Sequence, residues 1–302
     1  MKTIAITGYS GFVGTNLIAY LNSQNQFGIN TIDLRMSSEF EISDECVAVI
    51  HLAGKAHDLK KSNNPQEYYK VNTELTKNVF DNFIKSNAKT FVMLSSVKAS
   101  ADQVEQTLKE SDTPNPQTHY GKSKLMAEEY IQSQPLPNGK SYYILRPCMI
   151  HGPGNKGNLN LLYKIVSKGL PWPLGAFENK RSFCSIDNVC FIIKELIERE
   201  DIPSGVYNVA DDEPLSTNEI IELIAQSKNR KPRIYNISKK LINGLAKLGD
   251  IFHFPLNTER LQKLTENYIV SSAKIIQAMG KPLPLSAKEG LIKTFQSFSS
   301  NA

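Results

Sequence analysis

No run in these 302 residues approaches the roughly 18 consecutive apolar side chains that a membrane-spanning helix needs. The opening MKTIAITG is broken by glycine too early for a signal peptide, so no leader is expected. Cysteine is scarce. Cys46, Cys148, Cys184 and Cys190 are scattered, with no C-x-x-C pair and no histidine at metal-binding spacing. That argues against a disulfide scaffold and a metal site, and a reducing cytoplasm with free thiols is the expected compartment. Internal repeats and low-complexity segments are missing too. What remains is ordinary for a soluble globular chain, 40% hydrophobic and 22% charged, long enough for one large domain or two modest ones.

Charge of one sign is also in short supply, since the net charge is only +5. Much of it sits in KNRKPRIYNISKK (228–240), just before the amphipathic LINGLAKLG. Two readings compete there: contact with an acidic membrane surface or nucleic acid, or a solvated basic loop leading into a core-packed helix. The second is the expectation, so neither a nucleic-acid partner nor an integral membrane segment is expected.

The first half alternates short apolar runs with helical patterns. TIAIT (3–7), INTID (29–33), VAVIHLA (47–53), KTFVMLSS (89–96) and SYYILRP (141–147) read as strands. Helical periodicity covers 12–24, 66–86 and 119–133. Apolar strands alternating with helices predict an α/β fold, a Rossmann-type doubly wound parallel sheet. After about residue 150 the chain becomes loop-rich, with helical stretches at 216–227 and 287–295. A smaller, discontinuous α/β lobe is expected there. The expected division is 1–150 for the dinucleotide-binding domain, with 181–210 returning to it, and 151–180 with 211–302 for the substrate-binding lobe.

ITGYSGFVG places Gly8, Gly11 and Gly14 between the first strand and the first helix, with Phe12 and Val13 among them. Glycine lets the backbone turn tightly and approach a pyrophosphate, which would rest on the helix N-terminus. The spacing is G-x-x-G-x-x-G rather than G-x-G-x-x-G. Its context strengthens it, because Asp33 ends the next strand 19 residues after Gly14, where a carboxylate can accept bonds from ribose hydroxyls. Asp33 favours NAD, while Arg35 could accommodate the 2′-phosphate of NADP.

A strand ending in Ser95 and Ser96 delivers hydroxyls to the crevice side of such a sheet. Tyr120 follows Ser96 by 24 residues, and Lys124 lies one helical turn beyond Tyr120. A serine hydroxyl and a phenol can therefore converge on one substrate oxygen. A free phenol titrates near 10, and a neighbouring ammonium with a positively charged nicotinamide would favour the phenolate. The pair would then move a proton while the cofactor moves a hydride.

TGYSGFVG, VIHLAG, Val71-Asn72, LSS, YGKSK and LRPCMIHGPG together resemble the extended short-chain dehydrogenase/reductase family over nearly the whole chain. Within it the sequence is similar to nucleotide-sugar 4-epimerases and 4-ketoreductases. The resemblance implies Tyr120 as acid/base, Lys124 as its electrostatic partner and ribose anchor, and Ser96 as the hydroxyl orienting the sugar oxygen at C4. It implies cofactor contacts from Leu52, Ala53, Gly54, Asn72 and Pro147. For the substrate it implies Arg181 on a pyrophosphate, Asn158 on the diphosphate or sugar, Arg260 as a second phosphate ligand, and the loop around Trp172 against a base, usually uracil. A homodimer through the helices near 74–86 and 119–133 is a further implication.

Departures from the family pattern are informative. Ser96 is followed by VKASAD, and its Lys98 resembles a subgroup of bacterial surface-polysaccharide enzymes that act on UDP-N-acetyl sugars, including 4-ketoreductases. No Asp-Glu pair adjoins Ser96, which disfavours a 4,6-dehydratase. His151 stands where tyrosine is common. The expected function is therefore an NAD(P)-dependent 4-epimerase of a UDP-hexose or UDP-N-acetylhexosamine. A UDP-4-keto-sugar reductase is the alternative, and a non-catalytic cofactor-sensing scaffold is the alternative of another class.

Overall fold

The computed structural model describes residues 2–35, 40–55, 64–155, 157–252 and 257–299. β1 (Lys2–Thr7) is followed by α1 (Phe12–Gln24), β2 (Phe27–Ile32) and β3 (Cys46–His51). A helical run comes next: α2 (Gln66–Tyr68), a π-helical segment (Tyr69–Glu74) and α3 (Leu75–Lys85). β4 (Thr90–Leu94), a 3-10 turn (Val97–Ala99), α4 (His119–Ser133) and β5 (Ser141–Pro147) complete the first half. Then come β6 (Met149–His151), α5 (Asn158–Ser167), β7 (Phe183–Ser185), α6 (Ile186–Glu198) and β8 (Gly205–Val209). The chain ends with α7 (Thr217–Ser227), α8 (Lys239–Phe252), α9 (Thr258–Thr265), α10 (Ala273–Met279) and α11 (Ala287–Ser299).

Six strands form one parallel sheet in the order β2-β1-β3-β4-β5-β8. Ile4, Ala5, Ile6 and Thr7 of β1 are buried, as a strand covered by helices on both faces requires. On one face Leu17 and Leu21 of α1 pack with Val189, Ile192 and Ile193 of α6. On the other, Val79, Phe80 and Phe83 of α3 pack with Ala127 and Ile131 of α4. The chain moves outward from β1 to β2, then returns to the other side of β1 as β3. That reversal opens a crevice beyond the C-terminal ends of β1 and β3, the place where such sheets bind ligands.

The remaining elements enclose a separate apolar cluster that includes Leu159, Trp172, Leu174, Ile220, Leu223, Ile242, Leu291 and Phe295. β6 and β7 pair as a small parallel sheet beside it. Some expectations shift. β2 starts at Phe27 and ends at Ile32, so Asp33 lies just past the strand. The helix expected over 66–86 carries a π segment in its middle. The helix after the basic loop is core-packed on one side only. Ile242, Ala246 and Gly249 are buried there, but Leu241, Leu245, Leu248 and Ile251 are exposed.

Candidate active site

The loop between β1 and α1 uses its glycines in two ways. Gly8 has φ +67°, and a Cβ there would stand 2.4 Å from the Ala53 nitrogen. A Cβ on Gly14 would stand 2.5 Å from the Gly8 carbonyl oxygen. Both positions are closed by the protein itself. A Cβ on Gly11 would meet only the Gly8 oxygen, at 3.2 Å. Gly11 precedes α1, where no side chain caps the free N–H groups and the first turn has no acidic residue. This is a cradle for an anion with space for a close backbone approach. Phe12 and Val13 pack back onto the core.

Asp33 and Arg35 hold each other. The Asp33 carboxylate accepts from the Arg35 backbone N–H at 3.0 Å, from Nε at 3.0 Å and from a terminal nitrogen at 2.9 Å. The Arg35 side-chain bond is the largest reason that Asp33 is drawn down to about 2. Tyr9 Oη donates to the same carboxylate at 3.5 Å. The two residues between which cofactor choice was weighed are thus one surface ion pair.

A buried polar chain fixes the crevice floor. Thr76 Oγ1 donates to the Asn72 carbonyl at 2.7 Å, so it accepts from His51 Nε2 at 2.9 Å. His51 Nδ1 then accepts from Thr7 Oγ1 at 2.7 Å. Burial, and secondarily the Lys124 charge, push the imidazole down to about 3, so it is neutral. The Asn72 amide spans the loop after β3, accepting from Lys55 N at 2.8 Å and donating to Lys55 O at 3.1 Å. It also donates to Ser123 Oγ at 3.0 Å. Through these bonds the Asn72 amide places the Gly54 loop against α4.

On α4, Tyr120, Lys124 and Glu128 recur every four residues and share a face. Thr118 caps the helix, and Asp102 holds Gln117 N, Thr118 N and the Thr118 hydroxyl. Gly121 lets this end close on the turn after Ser96, since a Cβ there would be 2.3 Å from the Lys98 carbonyl. That approach brings the turn after Ser96 beside the end of α4 that carries Tyr120. Lys124 is 4% exposed, donates to the Leu94 carbonyl at 3.0 Å, and would stand 2.9 Å from a Cβ on Gly54. Burial lowers it to about 8, against an opposing pull from Glu128. Below it lies a buried ion pair: Glu128 takes Arg146 Nε at 3.0 Å and a terminal nitrogen at 2.5 Å, and also accepts from Ser95.

The phenol behaves differently from the expectation. Burial raises Tyr120 above its usual range, and the Ser96 hydrogen bond only partly offsets this. The expected downward pull of Lys124 does not dominate in the free protein. Tyr68 adds to the enclosure, its ring 6.2 Å from that of Tyr120 in an edge arrangement.

The residues expected to hold a substrate are less concentrated. Lys98 Nζ donates to the Asp102 carbonyl at 2.6 Å and lies 4.2 Å from the Tyr268 ring centre. Burial lowers its pKa, and the Arg181 charge acts in the same direction, so the two cations share one region. Arg181 donates to the Lys263 carbonyl at 2.5 Å and faces Glu266 at 3.7 Å. Arg260 is exposed on α9, one turn before Lys263. Asn158 opens α5, and its side chain lies outside the described residues. Pro147 ends β5 and is buried, while Leu52, Ala53 and Gly54 leave β3 at the crevice. A cavity of about 410 Å³ adjoins Arg181 in sequence, lined by Phe177, Asn179, Ser216, Asn218 and Asn267, but Tyr120 is not among its walls. Sequence reading passed over His51, Glu128, Arg146 and Tyr268. The signal was a polar or charged residue inside an otherwise apolar strand or on the inner face of a helix.

Residues 4–210 match the family described as NAD dependent epimerase/dehydratase. A UDP-glucose 4-epimerase from Vibrio cholerae is 29% identical, the match covering 98% of this chain and 95% of that one. An N-acetyl-alpha-D-glucosaminyl-diphospho-ditrans,octacis-undecaprenol 4-epimerase from Escherichia coli O157:H7 is 28% identical, over 97% of this chain and 94% of the relative. Among solved structures, a UDP-N-acetylglucosamine 4-epimerase from Bacillus cereus superposes with a TM-score of 0.75 at 19% identity, covering 99% of this chain and 100% of that one.

Proposed function

The chain belongs to the NAD dependent epimerase/dehydratase family, and from that premise we propose that it is a 4-epimerase of a UDP-linked hexose or N-acetylhexosamine. The observation that carries this reading is that α4 sets Tyr120 one turn from the buried Lys124, with its N-terminal end closed on the turn after Ser96. The Gly8–Gly14 loop, Asp33, the Leu52–Gly54 loop, Lys124 and Pro147 would hold NAD, and the open side of Gly11 fits a pyrophosphate. NAD bound there would supply a reversible hydride acceptor for a sugar carbon.

Ser96 orients the oxygen on C4. Tyr120 takes the hydroxyl proton as C4 loses hydride, and gives it back in the second half of the cycle. Because burial holds the free phenol high, the Lys124 ammonium is the charge already in place to favour its ionised form. Arg181 would bind the diphosphate after leaving Glu266, with Lys98 supplying a second positive charge and Asn158, Arg260 and the Trp172 loop completing the substrate side. We divide the chain into a dinucleotide-binding unit of 1–150 with 181–210, and a substrate lobe of 151–180 with 211–302. The proposed setting is a homodimer in the cytoplasm, through α3 and α4, making surface-polysaccharide precursors. Among the described residues, no helix is long and apolar enough to cross a membrane.

The test is to denature the purified protein without added cofactor and identify the dinucleotide released. Near-stoichiometric NAD supports an epimerase, whose cycle restores its cofactor in place. An empty protein that exchanges NADH or NADPH overturns the epimerase reading in favour of a 4-ketoreductase.

A further inference from the structure

The net charge of +5 comes from 35 basic and 30 acidic residues. Residues 228–247 contain seven of the basic residues and none of the acidic ones, so the rest of the chain is net −2. All of the excess positive charge therefore lies in one loop and the helix it enters. Among the described residues, part of that charge donates hydrogen bonds to neutral acceptors. Arg230 donates to the Ser167 carbonyl at 2.7 Å, Arg233 to the Gly169 carbonyl at 3.0 Å, and Lys228 to the Ser299 hydroxyl at 3.3 Å.

The helix beside this charge has two apolar faces. Ile242, Ala246 and Gly249 face the core. Leu241, Leu245 and Leu248, at the i, i+4, i+7 spacing of a single stripe, are 57%, 47% and 47% exposed, and Ile251 is 68% exposed. Tyr235, in the basic loop, is 50% exposed as well. By helical periodicity Lys240 and Lys247 fall together along the outer border of the stripe. Long lysine stems at that border can extend along an apolar surface while their ammonium groups reach a polar one.

We propose that α8 and the basic loop before it dock on an anionic lipid bilayer, with the leucine stripe in the headgroup–acyl boundary and the basic residues on the lipid phosphates. The charge selects this occupant. A second copy of the chain would bring seven more positive charges to the same face. Nucleic acid would use the basic residues but has no need of four exposed aliphatic side chains. An anionic bilayer satisfies both features at once. α9 packs on α8 and carries the Lys263 carbonyl that holds Arg181, so the docked face lies one helix away from that arginine.

The test is co-sedimentation of the full chain with vesicles of phosphatidylcholine, alone or with about 30% phosphatidylglycerol. Binding is expected on the anionic vesicles and should fall about tenfold on neutral ones or at high salt. Leu245→Asp with Leu248→Asp should lower binding about tenfold or more while leaving the melting temperature and NAD affinity unchanged. Lys240→Gln with Lys247→Gln should weaken it less and reduce its salt dependence. Equal sedimentation of wild type and the leucine variant, or none with either vesicle, overturns the proposal. So does a soluble dimer that the leucine variant converts to monomer, since a second copy would then cover the stripe. Binding to duplex DNA that the leucine variant retains, without vesicle binding, overturns it as well.

Discussion

Gly8 and Gly11 lie three residues apart, and a methyl group would affect them differently. At Gly8 it would enter the backbone of Ala53 at φ +67°, so both contact and conformation oppose it. Gly8→Ala should cost about 3 kcal/mol or more, seen as a large fall in melting temperature. At Gly11 the backbone is extended and one carbonyl is the sole neighbour. Gly11→Ala should lower the melting temperature much less than Gly8→Ala yet raise the Kd for NAD about tenfold by calorimetry, because the methyl occupies the cradle. Unchanged NAD affinity would remove this loop from the cofactor site. Lys124 shows the opposite balance. Burial lowers it from 10.5 to about 8. Between those values the unfolded chain binds a proton that the folded chain has lost, so stability rises with pH across that window. Below about 8 the buried ammonium costs on the order of 3 kcal/mol. Lys124→Met should therefore raise the melting temperature at neutral pH while abolishing turnover. Turnover by the wild type should likewise decline above about pH 8 as the ammonium is lost. A lowered melting temperature in the methionine variant would show that the Leu94 hydrogen bond outweighs desolvation.

At the scale of elements, α4 carries the proposed acid/base pair at one end and anchorage at the other. Tyr120 and Lys124 face the crevice, and Glu128, one turn on, is fully buried against Arg146 of β5. Breaking such a pair strands a charge, so Glu128→Gln should cost roughly 3–5 kcal/mol in denaturant unfolding. The double variant Glu128→Leu with Arg146→Met should recover most of that loss, because it removes both charges together. If it recovers none, the Ser95 contact and local packing carry the site instead. The π segment works at the same scale. It inserts the Asn72 amide between the Lys55 backbone and Ser123, so the loop after β3 and α4 share one bracket.

At the scale of the molecule, legibility followed the range of the forces involved. The strand SYYILRP and the helix 119–133 could be read to the residue, because an apolar run and helical periodicity are local signals. The ion pair of Glu128 with Arg146 joins residues 18 apart in sequence, and His51 lies within a strand run, so a polar residue at a buried position was their one local sign and their partners were not legible. The second lobe was least legible, since its elements are held by contacts between distant segments. Asp211 is the clearest case. Just after β8, its backbone N–H donates to the Phe183 carbonyl at 2.8 Å. Its carboxylate accepts from Ser185 N at 2.9 Å and from Asn188 Nδ2 at 2.7 Å. Asn188 in turn exchanges two bonds with the Leu285 backbone, and Asp212 accepts from Ala287 N at 2.8 Å. The sheet edge and the β7–α6 junction thus meet at the Asp211 carboxylate, and the start of α11 is tied in beside it through Asn188 and Asp212. Asp211→Ala would strand two buried donors, at about 1–3 kcal/mol each. Arg181 lies four residues before Ser185, so the same change should also weaken UDP binding indirectly, through the placement of Arg181. Calorimetry should show both losses in Asp211→Ala and a smaller pair in Asp211→Asn, which keeps one acceptor oxygen. If stability falls while UDP affinity holds, Arg181 is positioned by its Leu215 and Tyr268 backbone partners rather than by this junction.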